Sequence, residues 1–285
     1  AKEEHALHQQ SLALGNIGVI HLVRGEFQLA NKIFHESLYI NEEIGDKKAI
    51  SQIHGNIGTT FKELKEYDLA IKSYTINLNI SKEIGFLHGT ANAYNSFGIV
   101  YNRLGKYEKA LNYLNKSIKI FTSIGNKREI GISYGNVALN NLEIGNHNEA
   151  LKNFNKAKNI FNKINEKRMS ALINADMGKL FYEIKKYDKA IIHLNESLKE
   201  FIKLKDFPSL TKYMIIKIKS LISLNDFEHS NKQLVTAKKY AKTLHDNDFI
   251  NQLKILEIFI DFKINNDEKK AITQINSLSN ILTED

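Results

Sequence analysis

Residues 55–85 read GNIGTTFKELKEYDLAIKSYTINLNISKEIG, and the placement of the small and aromatic residues in this stretch decides the fold. Gly58 belongs to a series at 40-residue spacing, Gly18, Gly58, Gly98, Ala138 and Gly178, and Ala70 to another, Ala30, Ala70, Ala110, Ala150 and Ala190. Between them runs an aromatic series, Phe27, Tyr67, Tyr107, His147 and Tyr187, preceded by turn signals such as Leu104-Gly105-Lys106. A fixed period of this length marks an array of supersecondary units, each stacked on the next. In both halves of a unit the apolar residues recur at three-and-four spacing, and strand-like alternation is absent, so each unit reads as two helices.

The second unit sets the boundaries. Its first helix is expected over about 47–64, with Ile50, Ile53, Ile57 and Phe61 on one stripe, and its second over about 67–84, ending at Gly85. Ile44-Gly45 and Ile124-Gly125 repeat that stop. Pro208 falls at the start of the sixth hairpin, where its missing N–H costs little. Gly58 and Ala70 are expected where helices approach closely, and Phe61, Tyr67 and Tyr74 to supply buried area. His147, in an aromatic slot, is expected to be a packed and satisfied imidazole.

The expected architecture is all-α: a single right-handed superhelical solenoid of antiparallel helix hairpins over residues 1–285, about seven repeats, regular over about 6–205 and degenerate or capping over about 206–285. The glycine of the tight crossing becomes Ile218 in the sixth unit and Ile258 in the seventh. Overpacking such a crossing costs about 1–3 kcal/mol unless the helices move apart, so looser packing is expected there.

Composition narrows the functions. There is no Cys, which excludes disulfides and thiolate zinc sites. No apolar run has membrane-spanning length, so no membrane insertion is expected, and a cytoplasmic location is the default. The chain starts without Met in a helical pattern, which leaves room for an upstream segment. The net charge of +8 would ordinarily suggest nucleic acid, but only Arg24, Arg103, Arg128 and Arg168 are arginines, and acidic residues are interleaved throughout. Lys-mediated nucleic-acid binding is therefore disfavoured. His-Glu-x-x-His, phosphate-loop, Gly-x-Ser-x-Gly and cysteine-nucleophile signatures are absent, so neither an enzyme nor a cofactor is expected. His5 and His8 lie three apart beside Glu4, with no third metal ligand in view, and read as surface residues.

Gly55-Asn56-Ile57-Gly58, followed by Phe61, Leu64, Tyr67, Ala70, Tyr74 and Ile84-Gly85, resembles a tetratricopeptide repeat, of the subtype whose period exceeds the common ~34 residues. The resemblance covers about residues 6–245. It implies a protein-interaction module whose first helices line the concave groove of a superhelix and hold a peptide or partner protein, as scaffold or regulator within a larger signalling chain with a flanking domain. By position, the second unit offers Asn56, Thr59, Lys62 and Glu63 to that groove, with Gln52. The third offers Asn95, Ile99, Asn102 and Arg103, with Asn92; the fourth Asn136 and Leu139; the fifth Lys179 and Tyr182. Leu12, Val19 and Leu22 make the first unit's inner face apolar. The positions of the basic clamp that some relatives use for a C-terminal carboxylate hold Gly15, Gly55 and Asn95, which disfavours that ligand class.

Asn16, Asn56 and Asn136, completed by Ser96 and Asp176, form a polar ladder, expected to bond backbone between adjacent hairpins rather than a ligand. Structural self-assembly through a terminal hairpin is the alternative function.

Overall fold

The computed structural model describes the backbone of residues 2–244 and 247–283 and the side chains of residues 5–241 and 247–277. Among these residues every regular element is a helix: α1 (Lys2–Val23), α2 (Phe27–Ile44), α3 (Lys47–Glu63), α4 (Tyr67–Glu83), α5 (Leu87–Arg103), α6 (Tyr107–Ser123), α7 (Lys127–Glu143), α8 (His147–Lys163), α9 (Lys167–Glu183), α10 (Tyr187–Leu204), α11 (Phe207–Ser223), α12 (Phe227–Leu244), α13 (Asn247–Asn265) and α14 (Glu268–Thr283). The expected helices of the second unit are α3 and α4, each one residue shorter than the pattern suggested. The helices divide into two compact units, residues 1–160 and 161–285, with the boundary inside α8.

Within the first unit α1–α2, α3–α4 and α5–α6 pair as hairpins, and each packs on the next. The odd-numbered helices also touch one another, α1 to α3, α3 to α5 and α5 to α7, and so form a layer of their own. Ala70, Tyr74, Phe97, Val100, Tyr101 and Ala110 close one core cluster, with Phe61, Tyr67 and Tyr113 packed against it. Ala30, Phe34, Leu38, Ile53 and Ile57 close another.

The small residues at the hairpin crossings make room for a side chain. A Cβ on Gly58 would stand 2.6 Å from Tyr74 Cε1, and one on Gly18 would stand 2.5 Å from Phe34 Cε1. At Gly98 and Gly178 the opposing groups are Leu114 and Leu194 together with the carbonyls of Ala110 and Ala190, 3.3 Å away. The expected close backbone approach is therefore present in the third and fifth hairpins, whereas in the first two an aromatic ring fills the hole.

Helix ends follow a 20-residue rhythm. Gly25, Gly45, Gly85, Gly105, Gly125 and Gly145 adopt positive φ, and so do Lys65, Asn165, Lys185, Lys205 and Asn225. The cap is the same whichever residue holds it: Gly85 N–H donates to Lys82 O and Phe86 N–H to Ser81 O, while Lys65 N–H donates to Lys62 O and Glu66 N–H to Phe61 O. Where the residue is not glycine the left-handed conformation strains a Cβ, more at lysine than at asparagine. In the last hairpin the corresponding residue is Asn266, one position later than the 20-residue spacing would place it.

In the second unit α9 and α10 form a regular hairpin. At the crossing held by glycine elsewhere, Ile218 is fully buried in α11. α11 pairs with α12 and α13 with α14. Pro208 lies in the first turn of α11, and Asp206 caps that helix by accepting from Ser209 N–H at 3.3 Å.

Candidate functional site

A concavity of about 440 Å³ in the first unit runs across the layer of α1, α3 and α5. Its walls come from the odd helices, among them Leu12, Asn16, Gln52, Asn56, Asn92 and Asn95. Its floor is made by the second helices, through Ser37 and Asn41 of α2 and Tyr74 and Asn77 of α4.

That floor is polar because of an exchange visible only in register. The position that holds Phe121, Phe161 and Phe201, each fully buried, holds Asn41 and Ser81 in the first two hairpins. Small polar side chains there must find partners. Ser37 Oγ donates to Ser11 O at 3.0 Å, and Asn41 Nδ2 donates to Ser37 O at 2.7 Å and to Ser11 Oγ. One repeat later Ser51 Oγ donates to Asn77 O at 3.3 Å and lies 2.6 Å from Ser81 Oγ. Asn41 Oδ1 is buried with no partner among the described residues, at a cost of about 1–3 kcal/mol for an unsatisfied acceptor. Tyr74 is 2% exposed, its hydroxyl 3.3 Å from Thr59 Oγ1, and burial pushes its pKa up to about 12. It therefore remains a neutral phenol at physiological pH. Phe86 and His88 stack at 6.0 Å at the α5 end, where Asn92 Nδ2 meets His88 Nδ1 at 3.1 Å.

The lining holds one imidazole, His88, and no carboxylate, ammonium or guanidinium group. None of its 22 residues is Asp, Glu, Lys or Arg, although a quarter of the chain is.

Of the residues expected at the groove, Leu12, Val19, Gln52, Asn56, Thr59, Asn92 and Asn95 line it. Asn95 Oδ1 accepts from Asn136 Nδ2 at 3.0 Å, which ties α5 to α7. Asn102 Nδ2 donates to Asn140 Oδ1 at 3.0 Å, and Asn140, fully buried, donates to Tyr107 O. Arg103, beside it, is exposed and has no ion-pair partner among the described residues. Lys62 pairs with its neighbour Glu63 at 2.6 Å, and Ile99 and Leu139 are half-buried beyond the groove lining. Lys179 and Tyr182 belong to the second unit: Lys179 lies 3.4 Å from Glu183, and the Tyr182 ring tilts against Tyr187 at 5.8 Å. The polar ladder bonds between helices at two rungs, Asn136 to Asn95 and Asp176 to the Tyr213 hydroxyl. Both bonds join side chains, not the backbone expected as the partner. His147 departs from expectation, since its Nδ1 is buried without a partner among the described residues. An imidazole in a slot shaped for a phenyl ring finds no acceptor or donor there.

Ser11, Ser37, Asn41 and Asn77 were not expected at the site. The signal was present in the 40-residue register, as polar residues standing where later hairpins carry Phe.

Among the described residues no helix is long and apolar enough to cross a membrane, and no group of three or more His, Asp or Glu could hold a metal ion.

No curated protein sequence matches the chain. Solved structures do. One is a Signal Transduction ATPase with Numerous Domains protein with a tetratricopeptide repeat sensor, PH0952 from Pyrococcus horikoshii, at 18% identity and a TM-score of 0.74 over 97% of this chain; the chain spans 43% of that protein. Another is aspartyl phosphate phosphatase F from Bacillus subtilis, at 16% identity and a TM-score of 0.70, covering 98% of this chain and 72% of that one. A third is the quorum sensor NprR from B. thuringiensis, at 15% identity and a TM-score of 0.67 in its apo form, covering 92% of this chain and 72% of that one. NprR in complex with its cognate peptide NprX is also similar, at 14% identity and a TM-score of 0.64 over 94% of this chain and 76% of that one. At these identities the likeness is one of fold. The model of the tetratricopeptide repeat matches residues 49–123 and 129–199, half of the chain, in register with the hairpins described above, and the protein belongs to the tetratricopeptide repeat family.

Proposed function

We propose that this chain is a non-catalytic interaction module that takes an extended, uncharged polar peptide segment in the α1/α3/α5 groove, as the sensing or scaffolding part of a larger signalling protein. The observation that carries this reading is the neutral lining. In a surface where charge is abundant, a concavity free of carboxylates and ammonium groups disfavours charged ligands, which would lose hydration without gaining a counter-charge. It retains amide and hydroxyl groups on both walls, suited to the alternating N–H and C=O of an extended backbone. Gly15 and Gly55 leave space for a main chain to come close. NprR, similar in fold, is known in complex with a peptide, which supports the same reading.

The test is selection from a phage-displayed library of random heptapeptides on the full chain, with Asn56→Asp as counter-target. Asn56 lines the groove, and the exchange is isosteric but places a carboxylate in a neutral wall. The expected result is enrichment of peptides whose binding weakens about tenfold or more on Asn56→Asp, with helical content unchanged by circular dichroism. Failure to enrich any peptide, or equal binding to both proteins, would sink the proposal.

A further inference from the structure

One core position changes its chemistry late in the array. From the second hairpin onward the residues at this 40-residue spacing are Ile57, Phe97, Val137, Met177 and then Lys217. The first four are between 2% and 5% exposed. Lys217, in α11, is half-buried, and its Nζ donates to the neutral Gln233 Oε1 of α12 at 2.9 Å. Burial alone lowers its pKa, with no neighbouring charge contributing. A half-buried ammonium without an anion is costly, and an anion brought to it from outside the chain would offset that cost.

Lys217 lines a pocket of about 360 Å³ between α10, α11 and α12, entirely within the second unit. This volume lies in the usual range for small-molecule sites. Leu198, Ile202, Leu210 and Met214 give the pocket an apolar body, and Ile202 is 47% exposed. Lys199 and Lys203 also belong to the lining, and no Asp or Glu does. Lys203 is already 3.2 Å from Glu200, which leaves Lys217 as the inner cation without a counter-charge. Since Arg is absent from the lining, no planar fork is offered to a phosphate dianion. One half-buried ammonium beside an apolar body, with Lys199 exposed and Lys203 already ion-paired, matches a single carboxylate on an apolar chain.

We infer that the α10–α12 pocket binds a fatty monocarboxylate, with its carboxylate paired to Lys217 Nζ and its tail laid on Leu198, Ile202, Leu210 and Met214. The site is separate from the peptide groove and does not depend on it.

Titration calorimetry of the full chain with decanoate, and with decan-1-ol as the uncharged match, tests the assignment. Wild-type protein is expected to bind decanoate at least about tenfold more tightly than the alcohol. Lys217→Met, which installs the residue found at Met177, is expected to bind the two alike. Its urea midpoint should be unchanged or higher, because exchanging an unpaired, partly buried charge for an apolar side chain is neutral or stabilising, so loss of selectivity cannot be ascribed to misfolding. Lys199→Met should keep the preference for the carboxylate. Absence of decanoate binding to the wild type, equal affinity for acid and alcohol, or an undiminished preference in Lys217→Met would each overturn the assignment. So would binding of an acidic peptide with leucine flanks in the absence of decanoate binding, since it would replace the occupant.

Discussion

Gly58→Ala isolates the energetic meaning of the glycine series when measured beside Gly15→Ala. Both glycines lie inside helices, α3 and α1, so alanine at either gains about 1 kcal/mol of helix propensity. At Gly15 the added Cβ would meet Ser37 Oγ at 3.9 Å, an ordinary separation. At Gly58 it would meet three atoms of the Tyr74 ring at 2.6, 2.7 and 3.1 Å, all inside the ~3.5–4.0 Å optimum for carbon atoms. The ring cannot swing clear, for it is 2% exposed, lies edge-on to Phe97 at 6.0 Å and is tied by its hydroxyl to Thr59. Overpacking of this kind costs about 1–3 kcal/mol. Gly15→Ala is therefore expected to stabilise by about 1 kcal/mol, while Gly58→Ala falls between neutral and about 2 kcal/mol destabilising. Urea midpoints followed by circular dichroism read the difference, provided the slope is unchanged. In a Tyr74→Ala background, where the ring is gone, Gly58→Ala should become stabilising, giving a coupling of about 1–3 kcal/mol. If the two glycine exchanges raise the midpoint equally, the ring does not fill the hole and the account of these crossings is wrong.

Two further perturbations check the caps and the buried acid. Lys65→Gly relieves a left-handed lysine at φ 62° and should stabilise by about 0.5–1 kcal/mol, whereas Gly85→Ala, at φ 67°, should destabilise by about 1 kcal/mol; midpoints shifting in the same direction would contradict the cap assignment. Asp176 has a raised pKa, chiefly through burial, although the Tyr213 hydroxyl bond, Lys212 and Lys179 act against it. The folded chain then holds that proton to higher pH than the unfolded chain does, so stability is fully present below the ordinary value of 3.8 and is lost as pH rises through the folded value. Asp176→Asn keeps an acceptor for Tyr213 and should stabilise more at neutral pH than near pH 4, and a thermal melt showing equal gains at both would refute the assignment.

The fold was legible because its period is carried by residues with little freedom to vary. An alanine series that is fully buried at Ala30, Ala70, Ala110, Ala150 and Ala190, and stops at Gly45, Gly85 and Gly125, can be counted without knowing any contact. The finer rhythm of one left-handed residue every 20 positions was hidden, because Lys65, Lys185 and Lys205 hold the cap that glycine signals elsewhere. A lysine is read as a surface residue, and nothing local marks it as strained. The same limit applies at His147, where the register identifies an aromatic slot but not whether an imidazole in that slot finds a partner.

The site was legible only in part, for a related reason. Counting along the first helices placed Asn56, Thr59 and Asn95 on the face that lines the concavity, yet Asn95 and the likewise selected Asn102 and Asn136 are engaged in holding α5 to α7. Helical position tells which face a residue occupies; whether its polar group is free depends on the neighbouring repeat. The floor of the groove depends on what the second helices lack. Where Phe121 fills the space under its hairpin, Asn41 and Ser81 leave room and bring polarity, and the space opens onto the layer of first helices. A groove of this origin sits where the aromatic is missing, so restoring it should close the site: an Asn41→Phe chain that still selected the same peptides would mean that the floor is irrelevant to recognition and that binding resides on the walls alone.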